Sequence, residues 1–132
     1  MAVQSKEILD YTFTAENDLS TKQYHFVEVS GAWQIDVCDA ATDRTIGVLY
    51  NEPAAGQAAT IRMLGIALVI SNGSAENIAA GNYVGPNAGG TAVLKGTADH
   101  SVAGIALAAS TTSGAIIPVF LTPGAFWRSA AG

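Results

Sequence analysis

One cysteine, six basic residues and no apolar run long enough to cross a bilayer mark this chain, and each shortage excludes a class of function. Cys38 alone cannot make an internal disulfide, so the fold must rest on its core, and a reducing compartment is expected. Lys and Arg number six, spread singly against eleven Asp and Glu, for a net charge of −5. Nothing resembles a basic patch that could neutralise phosphates, so nucleic-acid binding is not expected. The longest apolar run, Met63 to Ile70, falls far short of the ~20 residues of a spanning helix. Met1-Ala2-Val3-Gln4 opens no signal peptide, which points to the cytoplasm as the place of synthesis and to no membrane partner. Charge is scarce as well: 13% of residues, against about a quarter in an ordinary soluble chain. A small domain so poor in charge is expected to have part of its surface covered by other protein, although Ala and Gly inflate the apolar fraction without forming sticky patches.

Constellations that carry chemistry are missing too. His25 and His100 stand far apart with no Cys or carboxylate at ligand spacing, so neither is read as a metal ligand. Cys38 falls opposite the face of Ile35 and Val37 and reads as a small packing residue, not a nucleophile. Asp36, Asp39 and Asp43 lack the regular order of a calcium loop and read as a solvated turn. Lys95 follows a strand instead of a glycine loop that opens a helix, so no nucleotide-phosphate cradle is expected. The expectation is a protein with no catalytic, cofactor-binding or metal-binding residues, and no cofactor.

What the chain does have is a repeated grammar. Residues 43–65 (DRTIGVLYNEPAAGQAATIRMLG) and 100–124 (HSVAGIALAASTTSGAIIPVFLTPG) each place a Gly in an apolar run, then a small-residue loop closing on Gly, then a second apolar strand ending in Gly. Gly47 and Gly104, the first glycines of the two, stand 57 residues apart. Strands are expected at 23–29, 33–37, 45–50, 58–64, 66–71, 92–95, 102–109 and 115–121, with a short one near 78–84 and a loop at 85–91. Gly65 is expected to bend one long strand around a corner, and Pro118 to mark an unpaired edge. Trp33, Ile35 and Val37 alternate onto one face, which places Trp33 in the core. The fold class is mainly β: a small β-barrel or sandwich built from two related hairpin units, about 22–65 and 80–124, within a single domain at 22–124.

Two flanks differ from that body. Residues 1–21 hold four of the eleven acids and read as an N-terminal arm, extended or briefly helical, that is ordered by docking. Tyr11 and Phe13 are its isolated aromatics. Residues 125–132 form a C-terminal tail in which Phe126 and Trp127 precede Arg128. Large aromatics beside an Arg either fold back on the barrel or bury in a neighbour. The candidate contact residues are therefore Tyr11, Phe13, Phe126, Trp127 and Arg128.

Read in order, DLSTKQYHFVEV, DRTIGVLYNEPAAGQAATIRMLG, NIAAGNYV and AGIALAASTTSGAIIPVFLTPG resemble the capsid decoration, or head cement, proteins of tailed bacteriophages. The resemblance covers residues 18–124 and is weakest in the arm. It implies a β-rich structural module on the outer surface of an icosahedral capsid, made in the host cytoplasm. Its implied partners are the major capsid protein and, as a homotrimer, itself. It brings no catalytic residues. The alternative is a carbohydrate- or receptor-binding module of a phage head fibre or tail; an enzyme has no residues to support it.

Overall fold

Strand β5, Ala58–Asn72, is the spine of the molecule, and Gly65 at its centre explains the rest. A computed structural model describes residues 5–74, 76–96 and 100–122. Among them are nine strands and no helix: β1 Lys6–Ala15, β2 Phe26–Gly31, β3 Gln34–Val37, β4 Thr45–Leu49, β5, β6 Tyr83–Pro86, β7 Ala92–Leu94, β8 Gly104–Ala106 and β9 Ser113–Leu121. The pairing order is β1-β3-β2-β4-β5-β7-β6-β8-β9, with two further pairings, β1–β5 and β5–β9. Those two pairings close the sheet twice. Strands β1, β3, β2, β4 and the first half of β5 form one five-stranded barrel; the second half of β5 with β7, β6, β8 and β9 forms another.

Gly65 sits where β5 leaves the first ring and enters the second. Its φ is +105°, and a Cβ there would lie 2.3 Å from the carbonyl oxygen of Lys6. Only glycine suits both the backbone angle and the close approach of β1.

The two barrels repeat each other pair for pair. The bridges Val27↔Gly47 and Val27↔Val37 recur as Val84↔Gly104 and Val84↔Leu94, each residue 57 places later. The antiparallel pair Phe13↔Ala59 recurs as Val69↔Ile117, and the parallel bridge Ala15↔Ile35 as Ser71↔Ala92. Gly47 and Gly104 serve one purpose: an added Cβ would meet the carbonyl oxygen of Arg62 at 2.3 Å or of Phe120 at 2.4 Å. Each lets a short strand cross tightly over the closing strand of its own barrel.

Alternation fills the interiors. Val27, Ile35, Leu49, Ala59 and Ile61 bury inside the first barrel with Ala15 and Leu19. Their counterparts Val84, Ala92, Ala106, Ile117 and Val119 bury in the second. Each fully buried Val, Ile or Leu contributes about 1.5–3 kcal/mol relative to exposure. The joint between barrels is apolar as well. Phe26, Cys38 and Val48 point out of the first barrel, yet they are fully buried in the cluster of the second. Phe26 N–H donates to Gly90 O (2.8 Å), and Ile70 N–H to Tyr24 O (2.9 Å). Arg62 seals the seam: its guanidinium pairs with Asp10 (3.0 Å) and lies 4.0 Å from the centre of the Tyr50 ring.

Several local expectations change. The N-terminal segment, read as an arm, is over Lys6–Ala15 the strand β1, docked along β5 through the pairs from Lys6↔Ile66 to Thr14↔Ala58. Trp33 is not a core residue. It precedes β3 at φ +59° and is 66% exposed, so the alternation that buries Ile35 begins only at Gln34. Part of the expected loop 85–91 is strand: Gly85 belongs to β6, where its missing Cβ lets Ser101 O approach. The unpaired edge expected at Pro118 is not found: β9 pairs with β5 on one side, where Pro118 stands opposite Leu68, and with β8 on the other, and the Pro118 carbonyl accepts from Leu107 N–H (2.9 Å) just past the end of β8.

Candidate functional site

The β2–β3 hairpin turns through Gly31, Ala32 and Trp33, and the left-handed backbone at Trp33 decides where its indole goes. In the second barrel the matching position, 57 residues on, is Gly90, also with positive φ (+79°). Tyr24 (φ +66°) likewise corresponds to Gly81 (φ +92°). Both positions that are glycine in barrel 2 are aromatic in barrel 1. A side chain at such a backbone angle costs about 1–2 kcal/mol, so something must recompense it. Tyr24 recovers it against Tyr50, with ring centres 5.3 Å apart. Trp33 recovers it in a surface cluster.

That cluster is Tyr11, Phe13 and Trp33. Tyr11 and Phe13 are two apart on β1, so strand geometry puts them on one face. The parallel pairing of β1 with β3 brings Trp33 beside them, held by a hydrogen bond from Thr14 N–H to Trp33 O (2.9 Å). Ring centres lie 5.9 Å apart for Tyr11–Phe13, 5.9 Å for Tyr11–Trp33 and 5.7 Å for Phe13–Trp33. Phe13 roots the group in the first core, whereas Tyr11 remains 52% exposed. With Thr12, Thr14 and Ala58 the rings line a shallow open hollow. Ile8, at an irregularity in β1, and Val29 are further exposed apolar side chains of the same barrel. Rigid, exposed aromatics of this kind are the usual anchors of a protein interface.

Of the five candidate contact residues, the structure brings Tyr11 and Phe13 together; Phe126, Trp127 and Arg128 lie outside the described residues. Trp33 was missed as a surface residue. Its signal was present in the repeat, where a Trp stands at the register of a turn glycine.

The titratable groups have structural occupations. His25 Nδ1–H donates to Gln23 O (3.1 Å), and burial lowers its pKa, keeping the ring neutral. The Cys38 thiol is buried 3.6 Å from Thr45 Oγ1, and desolvation pushes its pKa up to about 12. Such a thiol is protonated and inert at neutral pH. Lys95 is buried, with no carboxylate paired to it among the described residues; its ammonium donates to Pro86 O (2.6 Å), and burial lowers its pKa. Asp43 Oδ2 accepts from the N–H groups of Asp39 (2.8 Å) and Ala40 (2.9 Å), as in the solvated turn expected there. Glu28, Cys38 and Asp43 bring one ligand-type atom each within 4.8 Å of one another. Burial, and then the nearby carboxylate of Asp43, push Glu28 up to about 7, so this group tends to hold a proton. In this turn Asp43 is already committed to two amides and the Cys38 thiol lies against the Thr45 hydroxyl.

The family of phage cement proteins matches residues 3–121, nearly the whole length. The chain belongs to that family. Cement proteins are structural components of phage heads, and capsid decoration is the class of function to which this chain is assigned. No curated protein matches it. Among solved structures it is similar to the N-terminal base of the head fibre protein gp8.5 of bacteriophage phi29, with a TM-score of 0.66 at 20% identity. The alignment covers 86% of this chain and 93% of that one, so the likeness spans both barrels and concerns the fold.

Proposed function

We propose that this cement protein attaches to the outer surface of a phage capsid through the Tyr11–Phe13–Trp33 cluster and stabilises the shell without any catalysis. The observation that carries the reading is Trp33: an aromatic residue kept exposed at a backbone angle its counterpart meets with glycine. Strain of that kind is retained where a side chain is needed on the surface. The partner is the major capsid protein, and the copies act as a homotrimer made in the host cytoplasm. Decoration works by repetition, since several modest contacts per oligomer add through avidity. Purified protein should add to undecorated shells up to a fixed saturation ratio and raise their rupture temperature. Absence of binding to mature shells would remove the proposal.

A second reading is favoured by the same hollow. Aromatic rings flanked by Thr12 and Thr14 can stack on a sugar, as in a carbohydrate- or receptor-binding module of a head fibre. Binding to a glycan array together with no binding to shells would put that reading first.

A further inference from the structure

From Ile66 to Ile70 the outward positions of the β5–β9 wall of the second barrel are apolar, and the wall turns polar only at its end, where Asn72 meets Ser113. Ile66 stands opposite Phe120, Leu68 opposite Pro118, and Ile70 opposite Ile116. The inward positions between them, Ala67, Val69, Ile117 and Val119, are already buried in the core. The row continues across the ring, because Phe120 also pairs with Ile105, and Ile105 with Tyr83. Ile116 is 42% exposed and Phe120 45%. A ladder that is apolar on both faces is the pattern of a sheet covered on both faces.

Two observations identify what covers it. The first comes from barrel 1, where the counterparts of Tyr83 and Ile105 are Phe26 and Val48. These are fully buried, because barrel 2 packs over them. Barrel-on-barrel contact is thus the way this molecule covers that side of a barrel, and among the described residues no further barrel packs on barrel 2. The second is charge. Nine of the eleven acids lie at or before Glu52, whereas residues 63–75 and 101–122 contain no Asp, Glu, Lys or Arg. Two chains of net charge −5 approach with least repulsion through these uncharged walls. Apolar, charge-depleted patches are also the composition of the core of homo-oligomer interfaces.

We infer that the outer β5–β9–β8 wall of the second barrel is the surface on which a second copy of this chain packs. This deepens the self-association part of the reading above, and it assigns the two barrels different partners.

The test uses the full chain in the absence of any shell, so its failure is distinct from a failure of decoration. Sedimentation equilibrium should show an oligomer for the unaltered protein. Phe120→Lys should weaken association at least tenfold, whereas Ala58→Lys, at the position of barrel 1 that matches Ile116, should leave it unchanged. A monomeric unaltered protein, or a folded Phe120→Lys variant that associates like it, would overturn the inference. Should Phe120→Lys fail to fold, Ile116→Cys supplies the same test with the wall intact. A short bis-maleimide should join Ile116→Cys chains into covalent dimers and leave Ala58→Cys chains single, since Cys38 is buried. Equal cross-linking of the two, or none in the oligomer, would likewise refute it.

Discussion

Barrel 1 and barrel 2 share a hydrogen-bond ladder and almost nothing on their surfaces. On the outer wall of barrel 1, β1 presents Asp10, Thr12 and Thr14, and β5 presents Ala58, Thr60 and Arg62. The same wall of barrel 2 presents Ile66, Leu68 and Ile70 against Ile116, Pro118 and Phe120. At the hairpin tips the order reverses: Trp33 in barrel 1 stands where barrel 2 has Gly90. The difference teaches that the ladder and its interior residues are the repeated scaffold, while the outward positions are free to diverge toward different partners. Barrel 1 carries rigid aromatics in acidic surroundings; barrel 2 carries an uncharged apolar wall.

The shared scaffold gives the largest expected effects. Gly47→Ala and Gly104→Ala each push a Cβ into a backbone carbonyl, and each should cost about 3 kcal/mol in chemical denaturation. A large loss at one and none at the other would break the equivalence of the two barrels.

Next come the turn positions, where the barrels should respond with different magnitudes. Gly90→Ala adds a Cβ 2.5 Å from Val37 Cγ2 at positive φ and should cost about 2 kcal/mol. Trp33→Gly relieves backbone strain while losing ring contacts, so stability should shift by less than about 1 kcal/mol. Shell attachment should nevertheless fall sharply, as read by co-sedimentation with undecorated shells. A Trp33→Gly variant that binds shells normally would deprive the aromatic tip of its role.

The smallest effect is a pH dependence confined to barrel 1, because the counterpart of Glu28 in barrel 2 is Gly85. Burial raises the Glu28 pKa from 4.5 to about 7, with Asp43, Asp39 and Asp36 adding to the rise. The folded chain therefore holds a proton that the unfolded chain has released, and stability should decline as pH rises from about 4.5 to about 7. Below that window both states are protonated, and above it the penalty is constant. Glu28→Gln should flatten this part of the profile in thermal melts across the window. An unchanged slope would mean that the carboxyl is better solvated than its surroundings indicate.

Much of this scaffold was legible in the sequence because it rests on glycine and alternation. Gly47, Gly104 and Gly65 stand at close approaches that no side chain would survive, and the inward Val, Ile and Leu follow the two-residue period. What alternation cannot convey is the handedness of a turn. Trp33 falls in phase with Ile35 by counting, yet a left-handed backbone takes it out of phase. β1 was obscured differently: Tyr11, Phe13 and Ala15 do alternate, but Lys6, Glu7 and Asp10 and the irregular pairing near Leu9 mask a strand that borders solvent. Of the candidate site, Tyr11 and Phe13 could be read as a pair. The partner that makes them a patch arrives only through the parallel pairing of β1 with β3, a contact between segments about twenty residues apart.

The division of labour between the barrels can be tested most directly by a cryo-electron microscopy reconstruction of decorated shells. The account predicts Tyr11, Phe13 and Trp33 against the capsid, with the Ile116 and Phe120 walls of neighbouring copies facing one another. A map in which the second barrel's apolar wall lies on the capsid, and the aromatic tip of the first projects into solvent, would contradict it.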